Sequence, residues 1–225
     1  MDMRSDKPLL AAIAANGALV AIEAWALGMR FMAAGAGMFM FYTQCSNALA
    51  LVAGVCTLVR LIRDAGISSG VRRLKFLACC TQTMTFLVVL LVLTPMLNHV
   101  GQDGWKQMFV DDCRMVTHLF GPVLTVVSWL FVDGPAMSGT DGLVPSKADV
   151  RVSLAPTLAY GIVAYACNFL RWWHGPYPFL QVWEQPIWLS VLWFVVLLAG
   201  AWGIARGLQA AARGAASKSF RHGRP

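Results

Sequence analysis

Apolar positions in this chain come in six long runs, without the stripes of surface helices or the alternation of half-buried strands. The runs are roughly Pro8–Arg30, Phe39–Ile62, Leu74–Leu97, Cys113–Val132, Ser153–Trp172 and Pro186–Leu208. Each has about the 20 residues that a helix needs to cross ~30 Å of hydrocarbon. No water is present there to satisfy the backbone, so each crossing segment must bond internally, as a helix does. The pattern predicts an all-α integral membrane bundle of about six transmembrane helices. Residues 1–212 form its single domain, and residues 213–225 form a basic, flexible tail. Arg4 and Lys7 precede the first run as in a signal peptide. That run exceeds the ~7–15 apolar residues of a signal segment, so it is expected to stay as the first span. Pro95, Pro122 and Pro156 fall inside runs, where kinks are expected.

Charge placement orients the bundle. One side receives Arg4, Lys7, Arg60, Arg63, Arg72, Arg73, Lys75, Lys147, Arg151, Arg206 and the basic tail, and the other only Arg30, Lys106, Arg114 and Arg171. The basic side is expected to be cytoplasmic, with both termini there, in the cell (inner) membrane. Composition agrees: 58% of residues are hydrophobic and only 13% charged, against about 25% charged in soluble domains. The net charge of +7 sits at the ends of apolar runs, so it marks topology and not a phosphate-binding face, and no nucleic acid partner is expected. The six cysteines show no metal-ligand spacing, and neither a disulfide framework, a metal nor a cofactor is expected. Between the runs, 64–70 reads as a short cytoplasmic turn and 133–149 as a flexible cytoplasmic loop. The outer segment 175–186 reads as an ordered aromatic cap.

Polar side chains inside spans are costly and mark candidate sites. Thr43 lies about four residues into the second run and His118 about five into the fourth, both counted from the outer end, so they share a depth. Glu23 and Asn168 fall in the same layer. Asn47 is one turn below Thr43, with Ser46 beside it. His118 is the single histidine deep in a run, which excludes a bis-histidine haem site. It suits a general base for a hydroxyl nucleophile, and Thr43 is the best-placed hydroxyl. Thr117 is expected on a different face. The plainer reading of each is also open: histidine as a packing residue, threonine bonded to the preceding turn, asparagines as glue between helices.

Three motifs, in order, carry a resemblance: Phe41-Tyr42-Thr43-Gln44-Cys45-Ser46-Asn47, His118-Leu119-Phe120-Gly121-Pro122, and Gly175-Pro176-Tyr177-Pro178-Phe179-Leu180. On a six-span frame this resembles bacterial relatives of the androgen-induced gene family of membrane proteins. Its animal members are atypical threonine hydrolases that cleave fatty acid esters of hydroxy fatty acids. The resemblance implies Thr43 as nucleophile and His118 as its partner, with membrane lipids or fatty acyl esters as substrate. A distant relative with a cysteine nucleophile is not matched by Cys45, which turns to another face. Asn47, Asn168 or the Tyr42 hydroxyl are candidate oxyanion donors, Ser46 a neighbouring polar contact, and Glu23 a candidate to orient His118 as a triad carboxylate does. The Tyr177–Leu180 stretch is a candidate lid. The alternatives are an acyltransferase using the same residues and a non-enzymatic lipid- or sterol-binding protein or small transporter.

Overall fold

A computed structural model of the protein describes residues 6–63, 67–133 and 144–222, and all regular structure among them is helical. Six helical stretches are long and apolar enough to cross a membrane: Lys7–Met40, Tyr42–Ile62, Ser69–His99, Val116–Asp133, Lys147–Phe169 and Ile187–Ser217. The protein is therefore an integral membrane bundle of six spans, and the even number returns the chain to the side on which it begins. Large apolar side chains such as Ile162, Val163, Val191 and Val195 are exposed on the outside of the bundle, where acyl chains replace water.

Several ends differ from expectation. The third span starts at Ser69, capped by Ser68, whose hydroxyl accepts from the Val71 N–H. Lys75, expected at the cytoplasmic edge, therefore lies inside the helix. Residues 134–143 of the expected flexible loop lie outside the described residues. The rest of that loop becomes helix from Lys147, started by a reciprocal Ser146–Asp149 capping box. The last helix, Ile187–His222, runs on through most of residues 213–225.

Two of the three prolines act through a particular device. Proline lacks an N–H, and a π-helical turn precedes each: Val89–Leu93 before Pro95 and Val116–Phe120 before Pro122. In both, the residue just before proline bonds five residues back, Thr94 N–H to the Val89 carbonyl and Gly121 N–H to the Val116 carbonyl. The backbone thereby recovers part of the bonding that proline removes. Pro156 instead starts a new helix, Ala155–Phe169, after a break at Ser153 and Leu154.

The third span packs against the second, fourth, fifth and sixth, and the first packs on the second and fourth. The first four spans enclose a polar interior in two tiers. Nearer the end that carries the termini, Asn16 donates to Asp133 at 2.7 Å, Lys75 donates to Asn16 at 2.5 Å, and Lys75 and Asp133 form an ion pair at 3.4 Å. Seven residues on in both the first and third spans, Gln82 donates to Glu23 at 3.0 Å and to Asn47 at 2.8 Å. The matched spacing, Asn16 to Glu23 and Lys75 to Gln82, follows from two helices running the same way in register.

Candidate active site

The second span begins abruptly. Phe41 is its cap residue, extended and without a side-chain capping bond, and its carbonyl takes the N–H groups of Gln44 at 3.1 Å and Cys45 at 3.3 Å. The N–H groups of Tyr42 and Thr43 are first-turn donors with no carbonyl inside the helix. Tyr177, from the loop between the fifth and sixth spans, brings its hydroxyl against these two amides and the Thr43 side chain. Burial pushes the Tyr177 phenol up to about 12, so it stays neutral. Its ring stacks on Phe179 at 5.2 Å and meets Phe41 edge-on at 6.2 Å. Tyr177, Phe179 and Leu180 are all buried, as an ordered aromatic cap requires.

His118 lies in the π turn before Pro122. Its Nδ1 is 2.5 Å from the carbonyl oxygen of Met108, itself in the π turn Lys106–Val110. A carbonyl only accepts, so Nδ1 carries the proton and donates, and the lone pair of the neutral ring falls on Nε2. The group that orients His118 is thus a backbone carbonyl. No hydrogen bond joins Glu23 to His118 among the described residues, and Glu23 Oε1 accepts from Gln82. Glu23 lies instead against Gly121: a Cβ there would come within 2.3 Å of Glu23 Oε1.

Thr43 and His118 line one cavity of about 430 Å³, together with Gln44, Arg30, Arg114 and Tyr177. Thr117, expected on another face, lines it too. No hydrogen bond joins Thr43 to His118 among the described residues. A second, almost wholly apolar pocket lies on the other side of Thr43 and Tyr177. Val88, Tyr160, Phe179, Phe194 and Leu197 wall it, and Thr43 and Tyr177 belong to both.

The remaining candidates have partners that define other tasks. Ser46 donates to the Thr43 carbonyl at 2.9 Å and shares a hydrogen bond of 2.8 Å with Thr85, which fixes the first turn carrying Thr43. The Tyr42 hydroxyl bonds Thr157 at 2.8 Å and so ties the second span to the fifth. Asn47 Oδ1 accepts from Gln82. Asn168 organises the cap: its amide donates to the His174 carbonyl at 2.7 Å and the Trp173 carbonyl at 3.3 Å, and its Oδ1 accepts from the Val182 N–H at 2.8 Å. Gly175, at φ +81° beside Asn168, supplies the left-handed turn there. The cavity residues that the sequence did not single out include Gln44, Arg30, Arg114 and Met108. Only the two arginines carried a signal, as rare cations on the sparsely basic side.

All six cysteines are free thiols, and no group of three metal-ligating side chains occurs among the described residues. No protein-family model, curated protein or solved structure matches the chain.

Proposed function

We propose that the protein is an intramembrane lipid ester hydrolase of the kind found in the androgen-induced gene family, with Thr43 as nucleophile and His118 as general base. The observation that carries this reading is the single cavity lined by both residues, with the His118 lone pair directed to Nε2 by the Met108 carbonyl. Thr43 Oγ attacks the ester carbonyl while its proton passes to His118 Nε2. The tetrahedral intermediate collapses, and the leaving alkoxide takes that proton. Water then attacks the acyl-threonine with His118 again accepting the proton, and as the acid is released His118 returns that proton to Thr43 Oγ. The first-turn amides of Tyr42 and Thr43 are suited to hold the developing oxyanion, a role for which preorganised backbone donors are effective. Thr43 and His118 must draw together when substrate displaces the hydroxyl of Tyr177 from this turn, since catalytic contacts often tighten only in the complex.

The pocket behind Thr43 is apolar but small, about 50 Å³, so it admits only the first methylenes of a fatty acyl chain, and its apolar lining is what supports fatty acid esters of hydroxy fatty acids or similar lipids as substrates. By the distribution of basic residues, the site lies towards the outer leaflet and the termini are cytoplasmic. An acyl acceptor other than water would make the same residues an acyltransferase. The missing Thr43–His118 hydrogen bond favours the non-enzymatic alternative, a lipid- or sterol-binding protein or small transporter. The deciding experiment mixes purified protein with an activated fatty acyl ester and records intact mass and turnover. The hydrolase reading expects a mass gain of one acyl group, absent in Thr43→Ala, with turnover lost in His118→Ala and retained in Thr43→Ser. Turnover that survives Thr43→Ala would reject it.

A further inference from the structure

Cations are scarce on the side of the molecule away from the termini. Of the four basic residues expected there, Lys106 is exposed, and Arg171 lies over the Trp183 ring at 4.7 Å. The other two, Arg30 and Arg114, both line the cavity that holds Thr43 and His118, and among the described residues no carboxylate lines it. One acid serves both guanidinium groups from the rim: Asp112, at 3.7 Å from Arg30 and 3.9 Å from Arg114. These are long contacts to a side chain that is 60% exposed, where water competes. Arg114 also donates to the Gln107 carbonyl, which fixes its direction. Arg30 Nε is buried and without a partner, as is the Oε1 atom of Gln44 on the cavity wall. That Nε is closed to the cavity, so an oxyanion there takes its charge-assisted bonds from the outer guanidinium nitrogens of the two arginines, in place of their long contacts to Asp112.

We propose that Arg30 and Arg114 form a subsite for an anionic group, so that the preferred ligand is a lipid bearing a carboxylate or phosphate in addition to its ester. This rests on the hydrolase reading for the position of the ester. The parts of such a lipid then have separate places: the anion at Arg30 and Arg114, the ester carbonyl at Thr43 and His118, and the first methylenes of the acyl chain at the small apolar pocket behind Tyr177. Two guanidinium groups around one oxyanion give a directional, charge-assisted contact that a neutral headgroup lacks.

The test uses full-length Thr43→Ala protein in uncharged detergent, with ligand binding followed by tryptophan fluorescence. The probes are a fatty acid ester of a hydroxy fatty acid, its methyl ester, and phosphatidic acid beside the corresponding neutral diacylglycerol. The acid is expected to bind at least about tenfold more tightly than its methyl ester, the return on charge-assisted bonds to two arginines. Arg30→Gln with Arg114→Gln should erase that ratio and leave methyl ester binding unchanged, whereas Arg30→Lys with Arg114→Lys should keep part of it. Discrimination only within the phosphatidic acid pair would assign the subsite to phosphate. Equal binding of acid and methyl ester together with no phosphatidic acid preference, a preference that survives the double glutamine variant, or no binding of any probe would overturn the proposal. Turnover by wild-type protein is scored separately. An inert wild type that still discriminates by charge rejects the hydrolase reading and leaves the anion subsite standing.

Discussion

Gly121 and Glu23 show how a single hydrogen atom decides packing at the residue scale. A β-carbon at 121 would meet Glu23 Oε1 at 2.3 Å and the Val116 carbonyl at 3.0 Å, so Gly121→Ala must push either the carboxyl or the π turn aside. Overpacking of this kind typically costs ~1–3 kcal/mol. Thermal unfolding in detergent should record a lower Tm for Gly121→Ala, partly restored when Glu23→Ala removes the obstructing carboxyl. No recovery in the double variant would place the clash with the Val116 carbonyl instead. Tyr177 makes a second residue-scale case. With its phenol raised to about 12, it remains a proton donor through neutral and mildly alkaline pH. Tyr177→Phe should then leave the shape of the pH–rate profile unchanged while turnover holds or rises, since substrate no longer has to displace the hydroxyl from the first turn. A profile that loses its alkaline limb would show that Tyr177 itself titrates there.

The π turns are the element-scale feature that joins proline positions to the site. An alanine at 122 restores an N–H able to reach the His118 carbonyl, which lets the Val116–Phe120 turn relax towards an ordinary α-helix. Dropping the extra residue of a π turn rotates the helix before it by about 100° relative to the helix after it. His118 would then leave the Met108 carbonyl that holds its Nδ1. Pro122→Ala is therefore expected to stay folded with a lower Tm, as the Gly121–Glu23 packing is disturbed, and to lose most turnover. Pro95→Ala, which relaxes a turn in the third span without moving His118, should lose less. Equal losses would mean that the kinks act on the bundle as a whole. This element also shows where reading the sequence stops. Prolines inside apolar runs announced irregular backbone, and the depth count brought Thr43 and His118 to one layer. An α-helical step sets Thr117 about 100° from His118, yet the cavity is broad enough to be lined by both. Glu23 shares the layer as well, yet its carboxyl meets Gln82 and Gly121. Depth along an axis is legible from counting residues, but the direction of a side chain around that axis depends on local helical pitch.

The six-span architecture was readable at the scale of the molecule, because the bilayer imposes length and apolarity on every crossing segment. The interior charges were not. Lys75 reads as a topology anchor when the third span is taken to begin at Leu74, and Asp133 reads as a loop residue when the fourth ends at Val132. Shifts of a few residues convert two apparent surface charges into an ion pair whose side chains are 2% and 0% exposed. The pair spans the third and fourth helices, and Asn16 bridges it from the first, donating to Asp133 and accepting from Lys75. Such a pair carries a heavy desolvation penalty. Its removal as a unit is often tolerated, whereas loss of one partner strands a charge at a cost of ~3–5 kcal/mol. Lys75→Met and Asp133→Leu should each lower the Tm sharply or abolish expression. The double variant should recover much of the loss, because an apolar pair needs no desolvation. Recovery would show that the pair fixes the mutual register of the first, third and fourth spans without being required for their association. A double variant as unstable as either single one would mean that Asn16, left without both partners, is the costly group, and Asn16→Leu added to the double variant should then restore the Tm.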